Sequence, residues 1–336
     1  MVETVERSED FVRLTDPFRR ELLAHCYRMV GSVHDAEDLL QETMLRAWKA
    51  RDRYDSERAS VRTWLYRIAT NACLRALENS GRRPLPSGLG RPGEYPEAPL
   101  AAARPEGPWL QPIPDALVSA GSADPAEIVA SRQSMRLALI AALQYLPARQ
   151  RAVLILRDVL RWRAAEVADL LGTTTTAVNG MLQRARARLE QAAPDEDEIR
   201  EPADPADRDL LDKYAMAFQN ADIPAVMQLL RDDAVFEMPP EITWFTGREL
   251  IGRFLQARVL TEPGRFQMTP VAANGQPAFA AYLRGHGGVY RAHSISVLTI
   301  AASRVARVTS FHDPGLFATF NLPQTVPAAA VPVPGR

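Results

Sequence analysis

Cysteine is scarce in this chain of 336 residues, and neither Cys26 nor Cys73 belongs to a CxxC pair or has a histidine at metal-ligand spacing. A disulfide framework and a zinc site are therefore not indicated, and both thiols are expected to be buried and inert. Long hydrophobic runs are missing too. No stretch approaches the roughly 18 uncharged apolar residues of a membrane span, and the acidic N-terminus lacks the basic-then-apolar order of a secretory signal. The expectation is a cytoplasmic protein with no membrane contact, no metal and no cofactor. What is present, 46% hydrophobic residues, suffices for true cores, and at roughly 100 to 200 residues per domain the length suits two or three of them.

The overall charge of −1 hides an asymmetry. Residues 126–192 hold ten basic and five acidic side chains, whereas residues 193–336 hold thirteen basic and seventeen acidic ones. Only the middle segment has the balance of a polyanion binder. Residues 1–80 are nearly neutral, with thirteen basic and fourteen acidic side chains, so any nucleic-acid contact there rests on local placement.

Proline and glycine crowd residues 81–125, including Pro84, Pro86, Pro92, Pro96, Pro99, Pro105, Pro108, Pro112, Pro114 and Pro125. No regular helix or sheet tolerates such a run, and it is expected to be a semi-extended, solvated linker. Residues 193–205 form a second, acidic and proline-containing break, and residues 323–336 form a tail expected to be disordered. Between these breaks, the period is helical at first. From Asp35 to Trp48 the residues Ala36, Leu40, Met44 and Ala47 share one face, and Asp38, Gln41, Glu42 and Leu45 share the opposite one. Residues 206–322 begin with helical patterns (Leu210 to Phe218, Ile223 to Leu230) and finish with strand-like runs (Ala278 to Leu283, Ser294 to Ala301, Arg304 to Phe311), which argues for a separate α+β domain.

The sharpest mechanistic signal lies between Arg163 and Gln191. Residues 164–171 make a short amphipathic helix ending at Gly172, a residue suited to a left-handed helix C-cap. Thr173 and Thr174 are competent N-caps for the next helix. In that helix Val178, Leu182, Ala185 and Leu189 share one face, Thr176, Asn179, Gln183 and Arg186 share the other, and Arg184 and Arg188 flank it. This is the layout of a helix-turn-helix, in which Asn and Gln read adenine and Arg reads guanine or grips phosphate. The plain alternative is a helical hairpin with a solvated basic face. Every cation in the pair is arginine, which suits fork-like hydrogen bonding.

Taken together, DAEDLLQETMLRAW (35–48), SVRTWLYRIATNACLRAL (60–77), LPARQRAVLILRDVLRWRAAEVADLLG (146–172) and AVNGMLQRARARL (177–189) resemble sigma factors of the extracytoplasmic-function type. The resemblance covers about residues 10–192. MPPEITWFTG (238–247), ANGQPA (273–278) and FHDPGLFATFNLP (311–323) extend it to a subgroup carrying a SnoaL-like, NTF2-type C-terminal domain. It implies an all-α sigma-2 module over residues 10–80, an all-α sigma-4 module over 126–192, and an α+β cone over 206–322. It also implies RNA polymerase core and promoter DNA as partners, leaving open a separate anti-sigma factor. The face of Asp38, Gln41, Glu42, Leu45 and Arg46 would dock on the β′ clamp helices, with sigma-4 on the β flap. By itself an acidic helix face is ordinary solvated surface; the surrounding motif assigns it to docking.

Promoter melting needs a polar pocket, aromatic surface and cations near the backbone. The resemblance places these on Arg51, Arg53, Arg62, Trp64, Arg67 and Asn71, with Asn71 lining the pocket for a flipped base of the minus-ten element. Trp64 and Tyr66 also suit a plain core role. For the minus-thirty-five element the implied contacts are Thr175, Thr176, Asn179, Gly180, Gln183, Arg184, Arg186 and Arg188. Many relatives carry an R-S-R type sequence where this chain has Asn179, Gly180 and Met181, so the usual upstream consensus is not carried over. In the C-terminal domain the expected pocket residues are Tyr214, Phe218, Glu237, Trp244, Phe245, His286, His293 and His312, around a small apolar ligand. A regulatory, non-catalytic role is expected of that domain. The competing readings are a ligand-sensing helix-turn-helix regulator that never touches polymerase, and an enzyme tethered to DNA; neither accounts for residues 1–80.

Overall fold

The computed structural model describes residues 2–78, 81–100, 108–119, 125–192 and 205–327. The chain divides into two compact units, one of Met1–Pro84 with Gly107–Pro194, the other of Leu85–Glu106 with Asp195–Arg336.

The first unit is helical. It comprises α1 (Val2–Thr15), α2 (Arg19–Val30), α3 (Val33–Ala50), α4 (Val61–Glu78), the one-turn α5 (Asp115–Val118), α6 (Pro125–Gln133), α7 (Leu137–Leu143), α8 (Ala148–Leu154), α9 (Ala164–Leu171) and α10 (Thr175–Ala192). Gly31 ends α2 at φ +71°, and a Cβ there would lie 3.0 Å from the Gln144 and Leu110 side chains. At the next residue, Ser32 Oγ accepts from the Asp35 N–H at 3.2 Å and caps α3. The buried stripe of α3 is Val33, Ala36, Leu39, Leu40, Thr43, Met44 and Ala47, which returns every 3.6 residues as an amphipathic helix requires.

Two expectations change here. The segments holding α1–α4 and α6–α10 are not spatially separate modules on a floppy tether; they pack as one unit. Nor is the intervening segment simply solvated. Leu110 and Ile113 are fully buried, a gain of about 1.5 to 3 kcal/mol each. The Gln111 N–H donates to Gly31 O at 3.0 Å, and Tyr27 Oη donates to Gln111 O at 2.7 Å. Proline excludes regular ladders, but it does not exclude extended chain whose remaining polar groups find partners one by one.

The second unit is α+β. After α11 (Pro205–Gln219) and α12 (Ile223–Leu229) come β1 (Leu230–Glu237), β2 (Trp244–Thr246), α13 (Arg248–Phe254), β3 (Phe266–Ala273), β4 (Gln276–Arg284), β5 (Tyr290–Ala301), β6 (Arg304–Phe311), α14 (Leu316–Thr319) and β7 (Thr325–Val326). The sheet order is β2-β1-β6-β5-β4-β3, with β7 beside β5. The β1–β6 pair is parallel and all others are antiparallel. Asn274 and Gly275 make the β3–β4 turn at φ +59° and +67°, the combination that matches strand twist. The core gathers Tyr214, Phe218, Phe236, Phe254, Phe266 and Phe279 under the helices.

Residues 85–100, expected to be free linker, belong to this unit. The tail also differs from expectation at its start, because β7 pairs with β5 and Tyr282 Oη donates to Pro323 O at 3.1 Å. Residues 328–336, like the acidic break at 193–204, lie outside the described residues.

Candidate functional site

Helix α10 presents the most sharply divided surface of the first unit. Val178, Leu182 and Ala185 are buried, while Thr175, Thr176, Asn179, Gln183, Arg184, Arg186 and Arg188 are exposed. Local sequence sets this orientation. Gly172 closes α9 at φ +61°, the left-handed region glycine enters without penalty, and Thr174 Oγ1 accepts from the Ala177 N–H at 3.2 Å. Glu166 tightens the other end of α9 by accepting from the Arg163 N–H at 2.7 Å. Gly180 is only half-buried. The exposed cations are not equivalent. Arg186 forks onto Asp158 at 2.9 and 2.7 Å, Arg188 reaches Gln150 at 3.4 Å, and Arg184 lies beside Gly180.

On α3, Asp38, Gln41 and Leu45 face solvent, and Leu45 is 53% exposed. Glu42 and Arg46, one turn apart, are half-buried and pair with each other. The result is a patch with one bare apolar side chain framed by carboxylate and amide groups.

The residues implied for the minus-ten element fall into two groups. Arg62 forks onto Glu21 at 2.9 to 3.0 Å and lies over the Tyr66 ring, and Arg51 stacks on Trp48 at 4.0 Å. The Arg62 guanidinium ties α4 to α2, and that of Arg51 closes the end of α3. Arg53 is exposed on the loop after α3, Trp64 is half-buried against Tyr54 at 5.0 Å, and Asn71 is half-buried on α4. Arg67 is paired with Asp169 of α9.

That last pair is one of several ties that carry no local sequence signal. Tyr66 meets the edge of Trp162 at 5.5 Å. Arg28 donates to Ser134 Oγ at 2.8 Å and Ser134 O at 3.3 Å. Arg151, on α8, donates to Met29 O, Gln144 Oε1, Gln144 O and Leu146 O. Burial pulls both Arg28 and Arg151 down to about 10, leaving them charged at neutral pH. Beside them His25 is fully buried, with Nε2 2.9 Å from Thr70 Oγ1; burial, then the charges of Arg28 and Arg62, depress it to about 3. Its imidazole is neutral.

In the second unit, a cavity of about 280 Å³ opens between the helices and the sheet. Of the expected pocket residues it takes Tyr214, Phe218, His293 and His312. Strand alternation excludes Glu237. Phe236 and Val308, paired across β1 and β6, face the cavity. Glu237 and Thr309, one residue on, face the other side. There Glu237 is fully buried and accepts from Arg307 Nη1 at 2.8 Å and Thr309 Oγ1 at 3.0 Å. Trp244 and Phe245 sit on the edge strand β2, Phe245 behind Phe254 at 4.7 Å. His286 is exposed in the β4–β5 turn. These four leave the pocket set.

Glu237 and Trp244 instead anchor residues 85–100, which lie across this unit as a strap. The Ser87 N–H donates to Glu237 Oε2 at 3.1 Å, the Gly93 N–H to Trp244 O at 2.7 Å, and Trp244 Nε1 to Gly90 O at 3.2 Å. Gly93 is required by its neighbours, since a Cβ there would lie 2.9 Å from Phe245 Cε1. Further along, Arg253 forks onto Glu97 at 2.8 and 3.0 Å, Arg258 donates to Glu97 O at 3.1 Å, and Leu100 forms part of the cavity wall.

Residues 14–83 match the family description "Sigma-70 region 2", residues 136–189 "Sigma-70, region 4", and residues 211–308 "SnoaL-like domain". The chain is 50% identical over 323 residues to the ECF RNA polymerase sigma factor SigG of Mycobacterium tuberculosis, covering 96% of this chain and 86% of that protein. To SigJ of the same species it is 28% identical over 315 residues, 90% of this chain and 91% of that one. The crystal structure of SigJ superimposes with a TM-score of 0.59 at 24% identity over 91% of this chain and 98% of that one, a likeness of fold.

Proposed function

Because the chain belongs to the ECF family of RNA polymerase sigma factors, we propose that its exposed faces divide the work of initiation and that its SnoaL-like domain restrains them. The α3 patch around Leu45 docks on the β′ clamp helices, and region 4 docks on the β flap. An apolar anchor inside a polar rim is the usual anatomy of such a contact. The loop after α3 and the exposed part of α4 take the minus-ten element, with Asn71 at the flipped base. The Thr175-to-Arg188 face of α10 enters the major groove at the minus-thirty-five element. The observation that carries this reading is the division of α10, with Val178, Leu182 and Ala185 buried and Thr175, Thr176, Asn179, Gln183, Arg184, Arg186 and Arg188 exposed.

Elements ten and thirty-five base pairs upstream lie about 25 base pairs apart, roughly 85 Å at 3.4 Å per base pair. Region 2 and region 4 in direct contact do not span that distance, so the packed first unit is the resting form and polymerase must separate its halves. The strap joins those halves covalently, and the SnoaL-like domain, by holding the strap, keeps the linker from extending. We read that domain as a ligand-responsive restraint, because residues 85–100, which link regions 2 and 4, are held on it and Leu100 forms part of its cavity wall.

Run-off transcription with purified core polymerase tests this directly. The full chain is expected to give promoter-dependent transcripts, and a chain ending near Gln191 to give more per mole. Absence of any complex with core polymerase, in both forms, overturns the proposal.

A further inference from the structure

The SnoaL-like unit carries a cavity whose chemistry and whose wall both say more than "small molecule". Its body is aromatic, from Tyr214, Phe218, Phe236, Phe254 and Phe266. Its size, about 280 Å³, is at the lower end of the roughly 300–1,000 Å³ of small-molecule sites, so a compact, flat ligand is favoured. Its charge is one-sided. Arg258 and Arg265 line it, and no carboxylate does among the described residues. Arg258 is exposed and Arg265 half-buried, which places the cations where the cavity meets solvent. Each guanidinium spends one donor on Glu97 O or Thr261 Oγ1, and keeps others from its set of five. Deeper in, His293 and His312 stand 4.9 Å apart, ring to ring, and neither imidazole has a hydrogen-bond partner among the described residues.

We infer that this cavity binds a small aromatic or medium-chain carboxylic acid, its apolar body among the phenylalanines and its carboxylate on Arg258 and Arg265, and that the bound acid clamps the strap. The second half follows from geometry. Leu100 is a strap residue and also part of the cavity wall, and Arg258 is held by Glu97 of the strap. One part of the cavity wall, at Leu100, is in place only with the strap docked. A ligand that fills it gains contact with Leu100, so it binds the strapped state more tightly than the unstrapped one. By reciprocity, strap docking and acid binding strengthen each other by the same factor. This inference rests on the reading of the domain as a restraint, and it gives that restraint a sign: acid present, linker held.

Calorimetry of the full chain with 2-naphthoate and decanoate tests the acid class, with 2-naphthol and decanol as uncharged controls. The acids are expected to bind at least tenfold more tightly than their alcohols, Arg265→Met to erase that preference, and Leu100→Ala to weaken both probe types several-fold. Hydrogen exchange reads the strap: saturating naphthoate should slow exchange of the Gly93 and Ala98 amides in the wild type, and much less in Leu100→Ala. Failure of both acids to bind at millimolar concentration, equal binding of acids and alcohols, or strap amides indifferent to bound acid overturns the inference. None of these readouts involves polymerase. A chain that transcribes more when truncated but ignores acids retains the restraint and loses this ligand.

Discussion

Replacing Asp169 with arginine should shift the first unit toward its separated form. Asp169 pairs with Arg67 across the boundary between region 4 and region 2, and the two side chains are 75% and 42% exposed. Such a pair contributes about 0.2 to 1 kcal/mol. An arginine there adds like-charge repulsion, about 1 kcal/mol at 4 Å in water. The change therefore totals roughly 1 to 2 kcal/mol, or a factor of about 5 to 30 in the ratio of separated to packed chains. It will not undo the packing by itself, because Arg28 and Arg151 still donate to buried acceptors, each such charged hydrogen bond adding about 1.5 to 3 kcal/mol. At limiting core polymerase, run-off transcription should rise several-fold, and X-ray scattering should show a larger radius of gyration. The swap Arg67→Asp with Asp169→Arg should restore the scattering curve but not transcription, since Arg67 also stands among the residues assigned to the minus-ten element. Unchanged scattering in Asp169→Arg, or no recovery in the swap, refutes the reasoning.

Gly93→Ala forces a methyl group against Phe245, whose ring is nearly fully buried, at a typical cost of about 1 to 3 kcal/mol; faster exchange of the Gly93-flanking amides and higher run-off yield are expected. His25 supplies a pH dependence. Its folded value of about 3 lies below the ordinary 6.5, so below pH 6.5 the unfolded chain takes up a proton that the folded one refuses. Stability is lost as pH falls, by about 1.4 kcal/mol per unit, or roughly 2 kcal/mol from pH 6.5 to 5; urea unfolding of wild type against His25→Gln should show the slope shrinking in the variant. Finally, the β5–β6 turn puts Ala302 and Ser303 at φ +51° and +59°, where non-glycine residues lose roughly 1 to 2 kcal/mol each. Copying the chain's own Asn274–Gly275 solution, as Ala302→Asn with Ser303→Gly, should raise the melting temperature of the second unit by several degrees.

How much of this was legible in the sequence differed by type of force. The α9–turn–α10 unit was readable because its determinants are local: Gly172 for the left-handed cap, Thr174 for the next N-cap, and a 3.6-residue apolar period. The α3 faces were readable for the same reason. The strap was not, because proline content argues only against repeating hydrogen bonds. Its docking depends on single backbone groups meeting Glu237 and Trp244, some 150 residues away. The pocket was half legible. Of the residues expected there, Tyr214, Phe218, His293 and His312 line the cavity, whereas Glu237 falls on the other face of β1 by one residue of alternation. The buried roles of Arg28 and Arg151 carried no sequence signal, since an arginine aimed at carbonyls looks like any other cation.

On the proposed mechanism, region 2 and region 4 rest in contact and part when polymerase engages. Resonance energy transfer between dyes at Arg19 and Glu190, the first exposed at the start of α2 in region 2 and the second on the last turns of α10, measures it most directly. High transfer in the free chain, lost on forming a transcribing complex with core polymerase and promoter, is the predicted result. A transcribing complex in which transfer stays as high as in the free chain contradicts the account.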